Sequence, residues 1–447
     1  MAVLRSWASA RLGRELERVN RRETMDTVNE ARHPRLLPVS EEARVAPIEL
    51  YFDLVFVFSL TQVTALMTDD LTGRGIVRGL LVLALLWWSW VGYAWLGNVV
   101  QAEEGLGRVA MFGAMAAMFV LALTVPEAFN DMAGGLDGPI VIAFAYLAVR
   151  LLHLVMFIML SKDDLGLRRQ VWRFSPSVFG STTVLLVASQ LEGTAQTLTW
   201  AVALIVDYVG TILGGASGWR LRSASHFAER HGLIIIVALG ESIVAIGVGV
   251  AGVPISWPVI AASILGLAVA GSVWWAYFDV VSIVAERELR RLQGEERARL
   301  ARDAYSYLHL PMVAGIVLLA LGIEQVLEYV AESAVHELSE PLALLPLGAL
   351  YGGVALFLLA HSAFKYRTWR RVTVRRVVVA LLVAGLIPLA AELAALAALG
   401  LLTAVLVVMI ASEAMRYSEL REQVRHEEMG SEAHAGTGLA EPHPRDG

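Results

Sequence analysis

Four carboxylates stand inside or at the mouths of apolar stretches, and their spacing is the first chemical signal in the chain. In PIELYFDLVFVFSLTQVT, Glu49 and Asp53 are four residues apart, so a helix places them on one face with Phe56 and Leu60. In HFAERHGLIIIVALGESIV, Glu241 follows Glu229 by twelve residues, about 18 Å along a helix axis, and Ser242 comes next. A charged side chain deep in a bilayer costs roughly 3 kcal/mol or more, so each acid is expected to bind a proton, an ion or a solute, or to be paired. A bland role stands beside each. Glu49 and Asp53 could complement a helix N-terminus at the interface, and Glu241 could be a protonated carboxyl bonded within the bundle.

Arg150 and Asp207 lie at similar depths in two further apolar segments and form a candidate buried ion pair, for which a structural role is the simpler reading. His153, one turn from Arg150, and His231, after Arg230, are candidates for a proton relay or for hydrogen-bonded packing. Gly240 and Gly247 nearly share a face and would let another backbone approach. The run WWSWVGYAW (Trp87, Trp88, Trp90, Tyr93, Trp95) fits an interfacial aromatic belt, with stacking on a cation or aromatic substrate as the alternative. There is no glycine-rich phosphate loop, HExxH pair or GxSxG elbow, which argues against an ATP-driven pump or a recognisable membrane hydrolase. The absence of cysteine excludes disulfides, thiolate metal sites and cysteine catalysis. No cofactor and no metal site is expected.

The elements that must position these groups are membrane helices. Of 447 residues 57% are hydrophobic and 17% charged, against roughly 25% charged in soluble domains. Apolar runs begin near Ile48, Ile76, Val109, Pro139, Val171, Ala195, Gly232, Trp257, Tyr305, Leu342, Val377 and Leu396, predicting an all-α polytopic membrane protein of about twelve helices. Pro388 and Glu392 mark a hairpin between the last two. The connections SKDDLGLRRQVWR, GWRLRSASHFAER, ERELRRLQGEERARLARD and KYRTWRRVTVRR are strongly basic, whereas NDMAGGLDG, QLEGTAQ, AGVPIS and EQVLEYVAESAVHELSEP hold no lysine or arginine. That alternation predicts both termini in the cytoplasm.

Residues 1–47 are polar, arginine-rich and without an apolar signal core, so they read as a basic cytoplasmic arm; residues 416–447 read as a disordered cytoplasmic tail. Between them, ordered echoes suggest two parallel six-helix repeats, 48–215 and 216–415. Glu49 aligns with Glu229, Trp87 and Trp88 with Trp274 and Trp275, and AYLAVRLLH with LYGGVALFLLAH.

The segments PIELYFDLVFVFSLTQVT and HFAERHGLIIIVALGESIVAIG resemble the two hallmark stretches of the bacterial low temperature requirement protein A family. Glu49, Tyr51, Phe52 and Asp53 match the first; Glu229, Arg230, Gly232, Leu233 and Ala238 to Ser242 match the second. The resemblance runs from about residue 40 to 415 and implies a multi-pass membrane protein linked by the family's name to growth in the cold. A fainter similarity lays YFDLVFVFSLT on the FSD motif of the lysosomal potassium-channel family, with Asp53, Val55, Phe56 and Thr61 matching and Phe52 replacing its serine.

Together these readings predict a solute or ion transporter, with proton coupling as a further expectation, in a bacterial inner (plasma) membrane. Its path would run between the halves past Glu49, Asp53, Glu229, Glu241 and Ser242. The alternatives are a passive cation channel and an intramembrane lipid-modifying enzyme. Expected partners are the lipid bilayer, an unknown small solute or ion and a second copy of the chain; nucleic acid is not among them.

Overall fold

A computed structural model describes residues 39–41, 43–331, 336–370 and 374–416. The basic arm as far as residue 38 and the tail from residue 417 lie outside the described residues. The helices are α1 (Pro47–Asp69), α2 (Gly73–Gly97), α3 (Gly105–Leu123), α4 (Gly138–Leu160), α5 (Leu165–Ala188), α6 (Gly193–Gly214), α7 (Ala224–Gly249), α8 (Trp257–Phe278), α9 (Val281–Arg291), α10 (Gly294–Leu300), α11 (His309–Ala331), α12 (Leu344–Trp369), α13 (Val374–Gly385), α14 (Ile387–Ala390) and α15 (Ala395–Arg416). A π-helical turn, Ala301–Tyr307, joins α10 to α11 just before Pro311, whose missing N–H interrupts the regular ladder.

Local chemistry sets many of these ends. Pro47, Pro139 and Pro258 stand in first turns, where no backbone donor is lost. Thr72, Asp137, Asp164, Ser223 and Ser256 cap α2, α4, α5, α7 and α8. Pro176 interrupts α5 without breaking it. The carbonyl of Trp172 that its N–H would have served accepts instead from the Ser175 hydroxyl at 3.1 Å.

Among the described residues ten helices are long and apolar enough to cross a membrane. Two of the twelve expected positions fall short of that measure. The helix α5 has the length but carries Arg168, Arg169 and Arg173 in its first turns. The eleventh position is split into α13 and α14, and the chain then turns at Ala391–Ala394. The bundle is apolar outside as well as inside. Val109, Phe112, Leu198, Ile205, Ile243, Ile264 and Val408 are exposed, as a lipid-facing surface requires.

In the first half α1 packs on α2 and α3, α2 on α4 and α6, α4 on α3 and α5, and α5 on α6. In the second, α7 packs on α8 and α11, α8 on α12 and α15, α12 on α11 and α13, and α13 on α15. The halves meet through α1 and α2 against α7 and α11. The tightest contact is α11 on α12, where a Cβ on Gly315 would lie 2.6 Å from the Gly353 carbonyl oxygen and one on Gly322 would lie 2.5 Å from Leu350 Cα. Gly240 and Gly247 do not admit a close neighbour as expected: a Cβ on either would meet nothing within 4 Å. Both stand on the side of α7 turned away from its helix contacts.

Candidate functional site

The first turns of α1 and α7 build a buried charge cluster. Pro47 fixes the start of α1, and Glu49 reaches back so that Oε2 accepts from the Ala46 N–H at 3.0 Å. The same oxygen lies 2.7 Å from His226 Nε2, and Oε1 lies 3.3 Å from Arg230 NH1. One turn on, Asp53 Oδ1 accepts from Arg230 NH2 at 2.9 Å and from Trp90 Nε1 at 2.8 Å. Glu49, Asp53, His226 and Arg230 are all buried, with the Arg230 guanidinium 5.5 Å from the Trp90 ring. Gly97 makes room for this arrangement, since a Cβ there would come within 2.3 Å of Glu49 Oε1.

The tautomer of His226 follows from its second contact. Asn98 Oδ1 accepts from Arg222 N at 2.7 Å and Ser223 N at 3.3 Å, which turns its amide nitrogen toward Ser223 O and His226 Nδ1 at 3.3 Å. That nitrogen is a donor, so Nδ1 accepts and the neutral ring donates from Nε2 to Glu49. Two carboxylates thus share one guanidinium, and the His226 imidazole completes the cluster.

The cluster opens to one end of the bundle. A pocket of about 180 Å³ leads to Glu49 and His226, with Gln101, Glu103 and Glu104 at its wall and Val39, Ser40, Ala43, Arg44 and Ala46 across it. Toward the opposite end the α1 stripe closes at Phe56 and Leu60, both fully buried. Beyond that seal Thr61 Oγ1 donates to Glu241 Oε2 at 2.9 Å, and Thr68 Oγ1 donates to Glu324 Oε1 of α11 at 3.4 Å. Thr61 lies twelve residues past Glu49, about 18 Å deeper in a core about 30 Å thick. The pairs Glu49–His226, Asp53–Arg230 and Thr61–Glu241 advance together along both helices, so α1 and α7 run parallel.

The expected path residues divide. Glu49, Asp53 and Glu241 lie on the α1–α7 contact, and Ser242 is buried beside Glu241 with no protein partner for its hydroxyl. Glu229 does not join them. It is exposed in a separate groove with Arg44, Glu286 and Arg290, where its carboxylate accepts from Val45 N at 3.2 Å. Neighbouring helical residues point about 100° apart, and Arg230 takes the inward position. Glu241, Asp53 and Glu229 therefore do not converge on one cavity.

Arg150 and Asp207 meet at 2.9 Å, and the carboxylate also accepts from the hydroxyls of Tyr146 and, at 3.2 Å, Ser177. The second half holds a pair that sequence reasoning missed. Arg376 grips Glu413 through two bonds of 2.9 and 2.8 Å, with His361 Nδ1 2.9 Å from NH1 and the Ala276 carbonyl accepting at 2.8 Å. His153 packs among Tyr93, Phe157 and Phe174, whereas His231 sits edge-on to Trp90 and His309, with ring centres 5.1 Å apart in each case. The two histidines belong to different clusters.

The aromatic run is not an interfacial belt. Trp87, Trp88, Trp90, Tyr93 and Trp95 are all buried, because α2 is enclosed between the halves. Trp87 and Trp95 donate to the backbone oxygen and hydroxyl of Ser306, at 2.8 and 2.9 Å, and Tyr93 donates to Val149 O at 2.9 Å.

The family model for the bacterial low temperature requirement A protein matches residues 44–411, and the chain belongs to that family. The match spans the α1–α7 cluster and Arg376, and ends two residues before Glu413. An uncharacterized protein of Rhizobium meliloti (strain 1021) is 28% identical over 299 residues, which cover 63% of this chain and 69% of that relative. No solved structure matches.

Proposed function

We propose that this member of the low temperature requirement A family is a proton-coupled transporter of a small ion or solute, held here in a closed conformation. Its two six-helix halves, 48–215 and 216–415, would be parallel repeats forming twelve passes of a bacterial plasma membrane, with α5 and the broken α13–α14 as the fifth and eleventh. The matching order of helix contacts in the two halves supports the repeat, and the basic connections support cytoplasmic termini.

The observation that carries this reading is the shared guanidinium. Glu49 and Asp53 from one half divide Arg230 of the other, so that two carboxylates with one arginine between them stand beside a pocket that opens to the basic end. A proton or cation entering past Glu103 and Glu104 would neutralise one carboxylate and loosen the grip of α1 on α7. Glu241 and Glu324 form the corresponding acidic station beyond the Phe56 and Leu60 seal, reached from the other end. Alternation between the two stations is the motion a transporter needs, and the seal disfavours an open pore.

The test is flux in liposomes carrying an entrapped pH dye, with sodium or potassium as the trial cargo. Wild-type protein should move protons saturably when the cargo gradient is imposed, and Glu241→Gln should slow that flux at least tenfold. Equal flux in the variant removes Glu241 from the path. Unitary currents would assign a channel, and lipid turnover without a gradient an enzyme.

A further inference from the structure

Glu229 faces away from the buried cluster into a groove walled by Arg44 before α1, one stripe of α7, the end of α8, and α9. The groove measures about 370 Å³, within the roughly 300–1,000 Å³ of small-molecule sites. Along α7 it is lined by Ser225, Glu229, Leu233 and Ile236 at helical spacing. Ile236 follows Ser225 by eleven residues, about 16 Å of rise. The mouth is polar. Arg290 Nε donates to Ser225 Oγ at 2.9 Å, and Glu229 accepts from Val45 N, next to Arg44. Deeper, Phe278 stands against Gly232, where a Cβ would lie 3.5 Å from its ring, and Leu233 and the exposed Ile236 follow. Val281, Ala285 and Leu289 are buried, so α9 lies along the bundle with Ser282, Glu286 and Arg290 on the groove. Polar at the end of the bundle and apolar further along α7, the groove has the order of a phospholipid in one leaflet, head group first and acyl chains beyond.

The charges select among head groups. Arg290 and Glu286 satisfy each other at 2.6 Å. Arg44 and Glu229, by contrast, have no ion-pair partner among the described residues, so a cation and an anion stand open in one groove. A guanidinium pairs with a phosphodiester through charge-assisted hydrogen bonds, and a carboxylate does the same with a primary ammonium. A zwitterion carrying both groups complements the two residues, whereas an anionic head group would set like charge against Glu229. A choline head group is zwitterionic too, but its quaternary nitrogen has no N–H to donate. Phe278 is the single aromatic ring lining the groove, which is not the cage that such a nitrogen prefers.

We infer that this groove binds the ethanolamine phosphate head group of a phospholipid from the adjacent leaflet, with phosphate on Arg44, ammonium on Glu229 and an acyl chain along Leu233 and Ile236. The test is native mass spectrometry of the full-length protein, delipidated in detergent and offered phosphatidylethanolamine, phosphatidylcholine and phosphatidylglycerol in equal amounts. One phosphatidylethanolamine should be retained at least about fivefold over either competitor, the worth of one exposed ion pair. Glu229→Gln should abolish its advantage over phosphatidylcholine, and Arg44→Gln should weaken retention of both zwitterionic lipids by a similar factor. Both side chains are exposed, so each variant should keep the wild-type thermal midpoint. Equal retention of the three lipids, or of none, would overturn the site and leave the groove to solvent or to the chain's own N-terminal arm. Preference for phosphatidylglycerol would overturn it as well, and so would unchanged retention in either variant.

Discussion

Two sets of buried ion pairs in the bundle differ in arithmetic and in place. Within a half, Arg150–Asp207 and Arg376–Glu413 are matched one to one, and neutral hydroxyls, carbonyls or an imidazole complete their hydrogen bonds. Between the halves, Glu49 and Asp53 divide a single arginine. A matched pair is costly to open, since either partner alone would be an uncompensated buried charge. A shared guanidinium can lose one carboxylate to a proton or cation and still be paired. Matched pairs thus fasten helices within a half, whereas the unmatched cluster lies where one half meets the other.

Substitutions can break this comparison. Asp207→Asn strands Arg150 and should cost about 3–5 kcal/mol, read as a large fall in thermal midpoint. Glu49→Gln leaves Arg230 on Asp53 and should cost much less, about 1–2 kcal/mol, close to the loss of one charged hydrogen bond. Equal losses in the two variants would erase the distinction. Adding Asp53→Asn to Glu49→Gln should bring back a loss of the Asp207→Asn size.

Gly97→Ala sharpens the geometry, because its methyl would lie only 2.3 Å from Glu49 Oε1. Overpacking of this kind costs about 1–3 kcal/mol, and the clash should disappear when the shorter side chain of Glu49→Ala is combined with it, so that the two losses are less than additive. The smallest effect is expected at a surface ion pair. Asp164 caps α5 through Gly166 N and Leu167 N at 2.9 and 3.0 Å and pairs with Arg220 at 3.1 Å. The Leu167 N–H, with Arg220 beside it, holds its carboxyl below the ordinary value of 3.8 despite partial burial. Its contribution is therefore present above about pH 4 and fades as pH falls through the lowered value. Asp164→Ala should cost about 1 kcal/mol at neutral pH, and the gap from wild type should narrow in acid.

Hydropathy and loop charge make the helical membrane class legible, and helical spacing places Glu49 and Asp53 on one face. Arg230 is obscured by its neighbour Glu229, since the sequence does not show which of two adjacent polar residues turns inward. That choice is made by α1, which is far away in the chain. Arg376 reads as part of a basic loop, although it is 5% exposed and reaches Glu413 near the end of the last helix. Glu324 reads as the start of an outer connection because charges cluster after it, while the helix continues to Ala331. The buried tryptophans show the same limit. Composition marks them as amphipathic, but enclosure of α2 between two halves is a tertiary fact.

The glycine contact of α11 with α12 has a mechanical consequence. Backbone touching backbone leaves no side-chain rotamers to rearrange at the join, so Gly315, Gly322 and Gly353 couple the two helices as a stiff plate. The polar part of the contact between α1 and α7 is made by side chains, Glu49, Asp53 and Thr61 against His226, Arg230 and Glu241, which have rotamers to rearrange. A displacement of α7 at Glu49 and Arg230 would reach α11, which packs on it, and α12 would follow undivided, one stiff member against a softer seam.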